Sequence, residues 1–138
     1  MRAIDLATFI LLASAPALLA AGKSADVTAG RVAYTHYCAV CHGMTADGHG
    51  PVAEALRQQP SDLRHLRDRY GNPLSADRIA RYVDGRELII AHGSSEMPVW
   101  GERFGAAESE DSGRTLRTDR RILAIAAYLQ TLQVEPPH

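Results

Sequence analysis

Cysteine is nearly absent from this chain of 138 residues: there are two, Cys38 and Cys41, three apart. A secreted scaffold stapled by disulfides needs more of them, spread along the chain, so that class is excluded. Aromatic residues are scarce, at 6%, and a domain with so few rings has room to fill its core with a cofactor. Neither sign of charge prevails, with 15 Lys and Arg against 16 Asp and Glu. No basic stripe or arginine-rich tail appears, which argues against a nucleic-acid binder. No stretch alternates apolar and polar residues over a useful length, and there is no internal repeat, so strands and solenoids find no support. No apolar run reaches the roughly 20 residues of a membrane span.

The longest apolar run lies at the N-terminus, from Leu6 to Ala21, behind the single basic residue Arg2. Ala20, Ala21 and Gly22 are small enough for signal-peptidase cleavage. Residues 1–21 are therefore expected to be a signal peptide and 22–138 the mature domain. The alternative is an uncleaved N-terminal anchor, for which the run is short. No cysteine follows it, so a bacterial lipoprotein is not expected. Without residues 1–21 the charge balance is 14 against 15.

Along the mature chain, Asp26 to Cys41 reads as a helix with Tyr34, Cys38 and Cys41 on one face. His42 to Pro51 has loop composition, with Gly43, Gly48 and Gly50. Val52 to Gln59 reads as a short helix stopped by Pro60, and Ser61-Asp62-Leu63 as a turn. Ser75 is the expected cap of a helix to about Ala91, interrupted at Gly85. Gly93 to Gly101 reads as a loop, and Glu102 to Arg117 as a polar segment without a clear period. Its patch Glu108-Ser109-Glu110-Asp111 reads as solvated surface. Thr118 or Asp119 is the expected cap of a last helix, Arg120 to Gln133, with the apolar stripe Ile122, Ile125, Leu129 and Leu132.

The chemistry is concentrated in Cys38-Ala39-Val40-Cys41-His42. C-x-x-C-H is the attachment signature of haem c. Two thiols three apart on a helix can add to the two vinyl groups of one porphyrin, and the next residue, His42, is then placed under the iron as proximal ligand. The rival readings fit less well. A thioredoxin-like redox pair needs a βαβ context, a zinc site needs a second ligand pair that His36, His49 and His65 do not supply by spacing, and a plain disulfide leaves His42 unexplained.

With that motif, the stretch Gly30 to Leu132 resembles the class I cytochromes c, mitochondrial-type and bacterial. Gly30 and Tyr34 precede Cys38 by eight and four residues, and Ile125, Tyr128 and Leu129 resemble the family's partners on the last helix. The resemblance implies an all-α fold in which the first and last helices cross closely around one covalently attached haem. Gly50-Pro51 is similar to the family's Gly-Pro, so the resemblance implies that the Pro51 carbonyl accepts the Nδ1 proton of His42 and strengthens its donation to iron. The chain departs from the family in its long polar segment from Glu102 to Arg117, and it lacks a lysine-rich face.

Met97 is the leading candidate for the second axial ligand. It lies in Met97-Pro98-Val99-Trp100-Gly101, before the final helix, where the resembled family carries its axial methionine. Met1 is in the leader, and Met44 is too close to His42 to reach the opposite haem face. Thioether ligation favours Fe(II) and raises the potential. His92 is the alternative ligand, and ordinary core packing of Met97 the other. His36, His49, His65 and His138 have no spacing argument. Trp100, Tyr70 and Tyr82 are candidates for lining the haem crevice, with core packing as the plain alternative. Arg64, Arg67, Arg69, Arg78, Arg81 and Arg86 are candidates for neutralising propionates.

These features lead to the expectation of an exported, periplasmic, bacterial mono-haem electron carrier with one haem c and its iron held by His42 and Met97, and no enzymatic activity. Its partners would be a transient electron donor and acceptor, with no nucleic acid. A membrane enters only through an uncleaved leader or a membrane-bound partner. The alternatives are a haem-bearing subunit of a larger oxidase or dehydrogenase, and a sensor or enzyme with an open sixth site.

Overall fold

The computed structural model describes residues 15–85, 97–106 and 114–135. Every regular element among them is helical: α1 (Ala15–Tyr37), α2 (Ala39–His42), α3 (Leu66–Tyr70), α4 (Ala76–Asp84), α5 (Trp100–Ala106) and α6 (Arg114–Thr131). Single 3₁₀ turns lie at Ala53–Ala55 and Leu63–His65. The expected all-α fold is the one observed. Among the described residues no helix is long and apolar enough to cross a membrane.

The fold is organised by the crossing of α1 and α6, the most extensive contact between elements. A side chain at Gly30 would run into the backbone carbonyl of Ala124, so glycine is what lets the two helices touch. One turn on, Tyr34 is 1% exposed and its ring lies 5.4 Å from that of Tyr128. Ile122, Ile125 and Leu129 of α6 are buried beside it. Each such side chain gains about 1.5–3 kcal/mol on burial, more than the helix propensities of either segment supply. The helix pair expected from Gly30, Tyr34, Ile125, Tyr128 and Leu129 is therefore present.

α4 packs its buried Ile79 and Val83 against the same core. Ser75 caps it as expected, its hydroxyl accepting from Arg78 N. Gly85 closes it in a left-handed conformation at φ +90°, which lets its N–H reach the carbonyls of Arg81 and Tyr82. The proposed continuation toward Ala91, His92 and the acidic patch at 108–111 lie outside the described residues, as do residues 1–14 and His138.

Several elements differ from the sequence reading. The helix expected from Val52 to Gln59 is only the 3₁₀ turn Ala53–Ala55, and α3 was not expected. Three further differences concern α1, α5 and α6. α1 begins well upstream of Asp26 and ends at Tyr37. The chain then turns at Cys38 before the short α2, so the motif sits at a helical corner. Glycine-rich 100–106 is helical because Trp100 and Phe104, four apart, pack together at a 5.3 Å ring separation and against Tyr37. Thr118 does not cap α6 but lies inside it, buried, and its hydroxyl has no partner among the described residues.

Candidate haem-attachment site

The corner between α1 and α2 carries Cys38, Cys41 and His42. Cys38 N donates to Tyr34 O, while Cys41 N and His42 N both donate to Cys38 O, at 3.1 and 2.9 Å. These bonds set the three functional side chains within a single helical turn. The corner is fastened from below by Tyr34, whose buried hydroxyl donates to Gly43 O at 2.7 Å.

The loop after His42 folds back on this turn. Gly48 N donates to His42 O, Gly50 N to Cys41 O and Val52 N to Val40 O. Gly50 lies so close that a Cβ would meet the carbonyls of Val40 and Cys41. Asp47 shapes the loop, its carboxylate accepting from His49 N and the Thr45 hydroxyl. Those bonds hold the carboxyl below its ordinary range.

Ser61, not Pro51, is the residue that orients His42. The Ser61 carbonyl oxygen lies 3.0 Å from His42 Nδ1. Pro51 is exposed, and the bonds flanking it, Gly50 to Cys41 and Val52 to Val40, hold it against the carbonyl ends of the motif helix. The chain returns to the His42 ring only after Pro60. A carbonyl can only accept, so the bond places the ring proton on Nδ1 and leaves the Nε2 lone pair for a ligand. Burial favours the neutral imidazole and lowers the His42 pKa, while the Ser61 bond pulls the other way. The signal for Ser61 in the sequence was weak: a second proline ahead of a turn.

Cys38 is buried and Cys41 half-buried, and the two are not joined in a disulfide. Burial, reinforced by the neighbouring Cys41, pushes the Cys38 thiol up to about 12. A thiol held protonated by burial is a poor nucleophile, unlike the lowered thiol of a redox dithiol. Among the described residues no group of three or more His, Cys, Asp or Glu could hold a metal ion. Two free thiols beside an imidazole whose Nδ1 is tied to a carbonyl are a donor set that fits a covalently attached haem.

Met97 stands at the surface, 39% exposed. Two neighbours fix its segment. Val99 covers Gly85 at the end of α4, and the Trp100 ring lies 5.7 Å from that of Tyr37, the residue before Cys38. Trp100 is half-buried, with the Arg103 guanidinium over its face. Tyr70 and Tyr82 stack on each other at 5.0 Å. Of the arginines, Arg64 pairs with Asp62, Arg67 with Glu135, and Arg78 lies over Tyr70. His36 lies edge-on to Tyr37, His49 bonds to the Asp47 carbonyl, and His65 pairs with Asp68.

A family model described as "Cytochrome C oxidase, cbb3-type, subunit III" matches residues 25–111, more than half of the chain. No curated protein and no solved structure matches.

Proposed function

Because the chain belongs to the c-type cytochrome family of that description, whose members bind haem c and transfer electrons, we propose that it is an exported mono-haem carrier. In this reading, Cys38 and Cys41 attach one haem and His42 and Met97 are its axial ligands. The observation that carries it is the bond between His42 Nδ1 and the Ser61 carbonyl, on the same helical corner as two thiols not joined in a disulfide.

The bound haem would supply a one-electron Fe(II)/Fe(III) couple. The chain's own residues do the rest. Cys38 and Cys41 secure the group against loss in a dilute compartment. Ser61 orients His42 and raises its basicity, while Met97, a soft thioether, favours the reduced state. Trp100, packed on Tyr37 next to the methionine segment, would line the haem. With His42 and Met97 both holding the iron, the protein would leave no place for a substrate at the metal. The chain then needs no acid or base, only a small transient docking surface. Residues 1–21 act as the export signal to the periplasm.

The family's description favours one further reading, in which the chain is the haem-bearing subunit of an oxidase complex rather than a freely diffusing carrier. The redox titration of the purified holoprotein, followed by its spectra, tests the main proposal. One haem per chain with the long-wavelength charge-transfer band of methionine-to-ferric-iron ligation is expected. A missing band together with carbon monoxide binding by the reduced protein would overturn it. Stable co-purification with an oxidase would move the conclusion to the subunit reading.

A further inference from the structure

The carbonyl that orients His42 belongs to a segment with little regular structure of its own. Ser61 precedes the 3₁₀ turn Leu63–His65, and that turn is held mainly from outside. On one side, Leu63 N donates to Ala46 O at 2.8 Å, tying the turn to the loop after the motif. On the other side stands Gln133, just beyond the end of α6.

Gln133 spends its whole amide on backbone groups. Nε2 donates to Leu63 O and to Leu129 O, both at 2.8 Å, and Oε1 accepts from Arg67 N at 3.1 Å. Leu129 O lies in the last turn of α6 and Arg67 N in the first turn of α3, where helices leave backbone groups in need of partners. One side chain thus fastens the end of the last helix to Leu63 and Arg67 together. The following residues repeat the connection: Val134 N donates to Arg64 O at 3.1 Å, and the Arg67 side chain meets Glu135 at 3.3 Å. Within the segment, the Asp62 carboxylate accepts from Arg64 N and from the Arg64 side chain, which stiffens the path from Leu63 back to Ser61.

We propose that Gln133 is a positioning residue for His42: by clamping Leu63 and Arg67 it holds the Ser61 carbonyl on His42 Nδ1. The inference rests on the reading of His42 as axial ligand. It makes the C-terminal strap, Gln133 to Glu135, a determinant of imidazole basicity although its hydrogen bonds go to Leu63, Arg64, Arg67 and Leu129 rather than to the motif.

Gln133→Glu keeps the acceptor for Arg67 N and the side-chain shape but removes both donated bonds. In the reduced, haem-loaded protein, exchange of the His42 Nδ1 proton, followed by nitrogen-resolved NMR, should accelerate roughly tenfold or more, the scale of one lost hydrogen bond. The reduction potential should rise, because a looser Ser61 bond makes the imidazole a weaker donor. Gln130→Ala is the control. It removes a bond from the same helix to Leu74 O, and should lower thermal stability while leaving exchange and potential unchanged. Parent-like exchange and potential in Gln133→Glu, or equal changes in the control, would overturn the proposal. Should Gln133→Glu not accumulate with haem, Val134→Pro, which deletes the N–H bonded to Arg64 O, takes its place. Faster exchange and a raised potential are expected of it too, and parent-like values would again overturn the proposal. A parent protein without His42-ligated haem would instead overturn the function proposed above, and this inference with it.

Discussion

Met97 and His42 are proposed to hold one iron, and they differ in what fixes them. His42 is oriented by a bond to a backbone carbonyl, whereas Met97 lies on an exposed segment fixed by Val99 and Trp100. Met97→Ala should therefore leave covalent attachment intact. It should abolish the methionine charge-transfer band and lower the potential by on the order of 0.1 V, within the roughly 0.8 V range that axial ligands span. A redox titration of the variant checks both. Asp62 offers a test in the absence of any redox chemistry. Its bonds to Arg64 hold the carboxyl down at about 2, below its unfolded value. A depressed carboxyl stabilises the fold above the unfolded pKa and loses that contribution as pH falls toward 2. For this partly exposed pair the contribution is about 1 kcal/mol after solvent screening. Asp62→Asn should cost that amount at neutral pH and flatten the acid limb of the unfolding curve between about pH 4 and 2.

Among the elements, the crossing of α1 and α6 is decided by one absent side chain. Gly30→Ala gains about 1 kcal/mol of helix propensity. It also drives a methyl into the Ala124 carbonyl, an overpacking cost of about 3 kcal/mol against backbone that cannot step aside. The net loss of about 2 kcal/mol should lower the thermal midpoint by roughly 8 °C, measurable by circular dichroism. This pair was legible in the sequence because Gly30, Tyr34, Ile125, Tyr128 and Leu129 resemble the crossing helices of the class I cytochromes c and the stripe on α6 is regular. α5 was not legible. Its two glycines disfavour a helix, and only the packing of Trp100 and Phe104 against Tyr37 makes it one. Thr118 misled for a related reason. A threonine ahead of an apolar stripe reads locally as a cap, yet the helix has already begun at Arg114.

At the scale of the molecule, the attachment corner is fastened by three separate parts of the chain. Tyr34 of α1 bonds Gly43, the loop to Val52 bonds the carbonyls of α2, and the strap after α6 holds the segment that carries Ser61. A covalently bound cofactor at this corner would join these parts and stabilise the native state. Cys38→Ala combined with Cys41→Ala should yield protein whose haem is extracted by denaturant. Its unfolding midpoint should fall by roughly 10 °C or more. Spectra after denaturing extraction, with a thermal melt of the same sample, check the prediction.

The sequence by itself determined the helical class and the attachment motif, which are written in residues close together or in regular period, where chemistry and spacing suffice. The glycine that admits the helix crossing was legible only through the resemblance of Gly30 and Tyr34 to the class I cytochromes c. The tertiary structure alone decided that Ser61 rather than Pro51 faces His42, and that Gln133 stands behind Ser61. The bonded partners, His42 with Ser61 and Gln133 with Leu63, lie 19 and 70 residues apart. A backbone carbonyl has no residue type to betray it, and which one reaches the ring depends on how the loops return once the core has closed.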